Sequence, residues 1–308
     1  MKEAVPDKFL GVKVIILLLF TYALWGGNTV TIKLSLQGFS PLMVVALRSV
    51  VSSILLAFWG WSHSLTFRAS GRELHYLLIY SLVSGLALMA FIVGVKYTTA
   101  SRASIFINSY PLFTVFISHY FLAGHKLTWQ KVAGSMVAFT GLAVAFIGRG
   151  KAGGGFAAGD LIVTLSAICL AIRIVVAKKM IVNVPATKFL MWSSVISIPF
   201  MLAASFVLED QPIAAWSGLA LVGIMYQGII LGFFCFLVQA SLLKYYSANT
   251  MASFTFLIPI YGVFYSIMLL GDPLTISLII GTAMVATGIF TINYSFRGRR
   301  RQLPPEAS

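Results

Sequence analysis

The sequence predicts an all-α polytopic membrane protein of ten transmembrane helices, built as two inverted five-helix repeats. Three observations carry this prediction: apolar runs of span length recur along all 308 residues, Lys and Arg gather on one side of them, and the second half of the chain repeats the first. Hydrophobic residues make up 59% of the chain and charged residues 10%, where soluble domains carry about 25% charge.

The apolar runs fall near 11–34, 41–62, 74–95, 99–122, 128–148, 159–180, 187–208, 216–240, 246–270 and 273–296. Each approaches the ~20 residues that a helix needs to cross ~30 Å of hydrocarbon. Helices are required, because lipid offers no partner for open backbone and the alternation of a barrel strand is missing. The first run follows Lys2, Lys8 and Lys13 but outlasts a signal-peptide core, so it is read as an uncleaved span. With ten spans, fifteen Lys and Arg lie on the side of the N-terminus and five, Arg102 among them, on the other. That bias places both termini in the cytoplasm of a multi-pass protein of the cell inner (plasma) membrane. The formal net charge of +14 resides in these connections and the basic tail 297–308, so nucleic acid is not an expected partner. Cys169 and Cys235 lie within apolar runs and imply no disulfide framework.

KYTTASRAS (96–104) matches KYYSANTMA (244–252), and Pro111 matches Pro259 at an offset of 148. GHKLTWQKVAGSMVAFTG (124–141) matches GDPLTISLIIGTAMVATG (271–288) at an offset of 147. The glycine-rich stretch 148–159 is the natural linker between repeats at 11–148 and 159–296. Five spans is an odd number, so the second copy enters the membrane upside down. Such halves rock around one midplane site in many secondary transporters.

ALWGGNTVTIKLSLQGFSP (23–41), LRSV (47–50) and KYTTASRASIFINSYPLFTVFIS (96–118) resemble the first half of an EamA-type member of the drug/metabolite transporter superfamily. KYYSANTMASFTFLIPIYGVFYSIMLLGDPLT (244–275) is similar to that family's second repeat. The resemblance implies ten helices, a central cavity, and export of amino acids, related metabolites or drugs. Where such repeats often carry an acidic residue after a Gly, this chain has His125 and Asp272.

No HExxH, P-loop or GxSxG is present, and the four histidines lack metal-ligand spacing, so no enzyme activity, cofactor or metal is expected. Attention falls on ionisable residues inside spans, because each is costly in lipid. Arg48 and Arg173 sit about seven residues inside the second and sixth spans with no acidic neighbour on their own helix. Either binds an anionic group of a substrate, or Arg48 ties helices together through carbonyls. No Asp or Glu approaches the midplane, and only His119 stands near enough to serve as a proton relay. The cavity is expected to be lined by the first, third, fourth, sixth, eighth and ninth spans. Its candidate substrate-binding residues, with the two arginines, are Trp25, Asn28, Tyr80, Ser84, Asn108, Tyr226, Gln227, Asn249 and Ser253. Gly134, Gly141, Gly281 and Gly288 mark small-residue faces for helix packing or for a homodimer contact. Lipid and a small-molecule substrate are the expected partners. The function expected is secondary transport of a small organic metabolite (an amino acid, aromatic or related compound) by alternating access, in the export direction. The alternatives are an exchanger of nucleotide sugars or other anionic metabolites on the same fold, and a channel.

Overall fold

A computed structural model describes residues 11–64, 67–69, 71–122, 127–147, 155–180, 186–242, 245–246, 251–252 and 254–293. Helices dominate, and among the described residues the single bridge between extended segments joins Phe39 to Ile213. The helices are α1 (Val12–Gly26), α2 (Asn28–Ser35), α3 (Pro41–Ser62), α4 (Gly71–Lys96), α5 (Ala100–Ile107), α6 (Tyr110–Phe121) and α7 (Trp129–Ile147). The second half supplies α8 (Gly155–Met180), α9 (Ala186–Leu208), α10 (Gly218–Met225), a π-helical segment (Tyr226–Cys235), α11 (Phe236–Leu242), α12 (Leu257–Leu270) and α13 (Ile276–Asn293). Among the described residues seven runs are long and apolar enough to cross a membrane: Val12–Ser35, Pro41–Ser62, Glu73–Lys96, Ala158–Ala177, Thr187–Leu208, Gly218–Leu242 and Ile276–Asn293. The protein is a multi-pass membrane protein.

Some expected spans are interrupted. The first bends at Gly26–Gly27, where Gly26 lies so close to α12 that an added Cβ would come within 2.5 Å of Tyr261 Cβ. The fourth divides before Pro111, which has no N–H to give the preceding turn. Tight-turn bonds replace the helical ladder there, from Ser109 N–H to Phe106 O (3.2 Å) and from Leu112 N–H to Ser109 O (3.0 Å). The same device precedes Pro259, where Leu257 and Ile258 N–H donate to Phe254 O and Thr255 O, both at 3.1 Å. The two prolines aligned by the internal repeat therefore break their spans at corresponding points.

Helices of one half pack on helices of the other: α4 on α8 and α9, α3 on α9 and the π-helical segment, α5 on α8 and α12, and α7 along α13. The last pair uses the glycine faces. A Cβ on Gly288 would stand 2.5 Å from Ala138 Cβ, and one on Gly134 would stand 3.0 Å from Gly288 O. These faces are thus consumed within the chain, and they offer a second copy no free glycine groove. The buried core likewise draws on both halves, with Ile92 and Ala103 clustered with Val163 and Val285.

Candidate substrate cavity

Between the halves lies a cavity of about 710 Å³, in the size range of sites for small organic molecules. Below, the near side is the one where α1 begins, and the far side the one where α2 ends. Near its middle the cavity meets Trp25 and Asn28 at the α1–α2 bend, Arg48 on α3, Ser84 on α4, and Asn108 at the α5–α6 break. Breaks in helices bring polar side chains and freed backbone groups to membrane depth, which is tolerated where they face a cavity. Towards the near side the walls are Tyr80, Arg173 and Ala177, Phe189 and Ser193 of α9, and Gln239 of α11. From Ser166 to Ala177 the lining follows α8 for about 16 Å at 1.5 Å per residue.

Seven of the candidate residues line this space: Trp25, Asn28, Arg48, Tyr80, Ser84, Asn108 and Arg173. Tyr226 and Gln227 do not. The wider turn of the π-helical segment leaves Leu231 and Gly232 on the cavity wall instead. The Tyr226 hydroxyl donates to Leu24 O at 2.8 Å, beside the α1–α2 bend. Gln227 is fully buried and donates to Ser35 Oγ (2.9 Å) and Gly223 O (3.2 Å). Asn249 and Ser253 lie outside the described residues. His119 ends α6 in an exposed position away from the cavity. The second and seventh spans line the cavity as well, through Ser49 and Ser52 on α3 and Ser193, Ser194 and Ser197 on α9. Sequence reasoning missed these, although Ser193 and Ser197 repeat at i, i+4 on one helix face.

The two cavity arginines have few protein partners. Arg48 Nη1 donates to Gln227 Oε1 at 3.1 Å. Arg173 places its guanidinium 5.8 Å from the centroid of the Tyr80 ring, a cation–π distance. Neither meets a carboxylate among the described residues. Asn28 Oδ1, Thr29 Oγ1 and Ser84 Oγ are buried without a hydrogen-bond partner among those residues.

The far side is closed by a different chemistry. Arg102, counted among the far-side cations near the start of the fourth span, lies within α5 and is buried. Its Nε is 3.2 and 3.1 Å from the two carboxylate oxygens of Asp160, and its Nη1 donates to Ala145 O at 2.6 Å. Thr98 Oγ1 adds a 2.6 Å bond to Asp160. Asp272 accepts from Ser101 N–H (2.8 Å) and Oγ (2.7 Å). Glu209 accepts from Leu42 N–H (3.0 Å), Ser205 Oγ (2.6 Å) and Ser40 Oγ. Each of these bonds except that to Ser205 joins one half of the chain to the other or to α7. Among the described residues the near-side ties between the halves include Lys188 Nζ to Glu73 Oε1 at 2.8 Å, Trp192 Nε1–H to Phe67 O at 2.9 Å and Gln130 Nε2 to Thr291 O at 2.7 Å.

Two repeats, paired half against half around one polar cavity, match the EamA-like transporter family over residues 12–147 and again over 157–294. The chain belongs to this family. Relatives of this EamA-like transporter include the uncharacterized transporter YoaV of Bacillus subtilis, 24% identical over 94% of this chain and 99% of that one. A probable amino-acid metabolite efflux pump of Salmonella typhimurium is 26% identical over 92% of this chain and 96% of its own. A probable terminal-alkyne amino-acid exporter of Streptantibioticus cattleyicolor is 24% identical over 92% and 95%. A solved crystal structure superposes with a TM-score of 0.65 at 16% identity, covering 90% of this chain and 96% of that one, and shows a shared fold. The EamA-like chain is therefore a membrane transporter and not an enzyme.

Proposed function

We propose that the protein is a secondary exporter that carries a small organic metabolite across the inner membrane by alternating access through this cavity. Ten spans are assigned, the described α5–α6 pair and the helix containing α12 forming the fourth and ninth, with both termini in the cytoplasm. The charge bias supports that orientation. The observation that carries the reading is one cavity of about 710 Å³ whose walls come from both inverted repeats, since rocking of two such halves exposes a shared site to each side in turn. The lining reaches the near side while polar bonds bind the far side, which supports an inward-facing state. Opening outward requires the far-side bonds of Asp160, Asp272 and Glu209 to part. Aromatic walls from Trp25, Tyr80 and Phe189 favour an amphipathic cargo, and relatives named as amino-acid exporters support a metabolite of that size.

Counterflow in proteoliposomes tests the carrier reading. Saturable exchange of a labelled metabolite against its unlabelled form is expected. Ohmic single-channel currents, or N- and C-terminal tags that label from opposite faces, would overturn it.

A further inference from the structure

We infer that the cargo is an organic anion, a carboxylate with an aromatic or branched apolar body and no ammonium group, carried without a proton. The inference rests on the exporter reading and deepens it. It begins from the charges on the cavity wall. Arg48 and Arg173 both line it, and neither has a carboxylate partner among the described residues. The chain contains only eight Asp and Glu in all. Of these, Glu73 is paired with Lys188, Asp160 with Arg102, Asp272 caps Ser101, Glu209 is bonded to Leu42, and Asp210 is exposed beside Glu209. The remaining Glu3, Asp7 and Glu306 belong to the terminal segments of the sequence. A zwitterion entering the cavity would find guanidiniums for its carboxylate and, among the described lining residues, only neutral acceptors such as Asn28 Oδ1 for its ammonium group. Stripping an ammonium of water without an opposite charge is heavily unfavourable. A carboxylate, by contrast, meets donors suited to two-pronged pairing with guanidinium, with the unpartnered hydroxyls of Thr29 and Ser84 near at hand.

The same census bears on coupling. Among the described residues no Asp, Glu or His lines the cavity, so none of those lining groups changes charge near neutral pH to pick up or release a proton. One turnover then moves the charge of the cargo alone. Export of a monoanion runs down an inside-negative membrane potential, and 100 mV sustains a concentration ratio of roughly fifty-fold.

Proteoliposomes loaded in parallel with phenylpyruvate, benzoate or 4-methyl-2-oxovalerate, and with phenylalanine or leucine, provide the test. Efflux of at least one anion should accelerate when valinomycin and a potassium gradient make the interior negative, and slow when the sign is reversed. Dissipating a pH gradient should leave it unchanged. Arg173→Gln should reduce anion efflux at least ten-fold, and Arg173→Lys should retain part of it, with thermal stability in detergent unaltered. Transport of the amino acids with none of the anions would overturn the inference and leave the carrier standing. Anion efflux that collapses with the pH gradient would overturn proton-free export. Silence of both panels, with counterflow also absent, would remove the exporter reading too.

Discussion

Two buried arginine environments stand within one bundle, and they are built to opposite ends. At the far-side seam Arg102 is saturated: Asp160, the Ala145 carbonyl and the Phe106 ring, 5.7 Å away, surround it. In the cavity, among the described residues, Arg48 donates to the neutral Gln227 and Arg173 faces the Tyr80 ring. A guanidinium at membrane depth is costly unless paired, so the seam spends its charge on holding helices together. The cavity leaves its charge facing the open space between the halves. The difference separates structure from function more sharply than residue type does.

The largest expected effect falls at the seam. Arg102→Ala leaves Asp160, which is fully buried, without its counter-charge, and should cost about 3–5 kcal/mol of stability. Loss of the monodisperse peak in detergent chromatography is the readout. Replacing both partners with apolar residues, Arg102→Met with Asp160→Leu, should recover most of that loss, because no orphaned charge remains. Full stability in the single variant would erase the contrast with the cavity.

Next in size are the cavity arginines themselves. Arg48→Gln should weaken cargo binding by about 1.5–3 kcal/mol, the worth of a hydrogen bond to a charged group, while the melting temperature stays close to that of the parent. Counterflow KM and thermal unfolding read the two quantities separately. A variant that unfolds but, where folded, transports normally would move Arg48 to the structural side of the comparison.

Much of this arrangement was legible in the sequence. Composition, span spacing and the Pro111–Pro259 correspondence gave the helical bundle and its duplication, because membrane burial leaves few alternatives. Seven cavity residues were legible because ionisable side chains within spans, and polar ones sharing a helix face or standing before a proline, stand out against apolar surroundings. Three features were not legible. Arg102 follows a loop-like KYTT segment, and its partner Asp160 lies 58 residues away in the other repeat, so only folding reveals the pair. Tyr226 and Gln227 were displaced from the wall because nothing local announces that their helix widens into a π turn. The serines of α9 were passed over since single hydroxyls in a span more often bond their own helix, as Ser197 Oγ does to Ser193 O at 2.6 Å.

The smallest effect comes from two serines treated alike. Ser101 on α5 donates its hydroxyl to Asp272 across the repeats at 2.7 Å, so Ser101→Ala should lower stability by about 1–2 kcal/mol and loosen the far-side closure. Ser84 lines the cavity and its buried hydroxyl has no partner among the described residues. Removing an unsatisfied group relieves its desolvation penalty, so Ser84→Ala should leave stability unchanged or raise it by a few tenths of a kcal/mol. If the hydroxyl serves the cargo, KM should rise about three- to ten-fold, the worth of roughly one neutral hydrogen bond. Thermal shifts for both variants with counterflow KM for Ser84→Ala decide the matter. Equal destabilisation would mean that Ser84 is as structural as Ser101, and that this stretch of the cavity wall belongs to the scaffold.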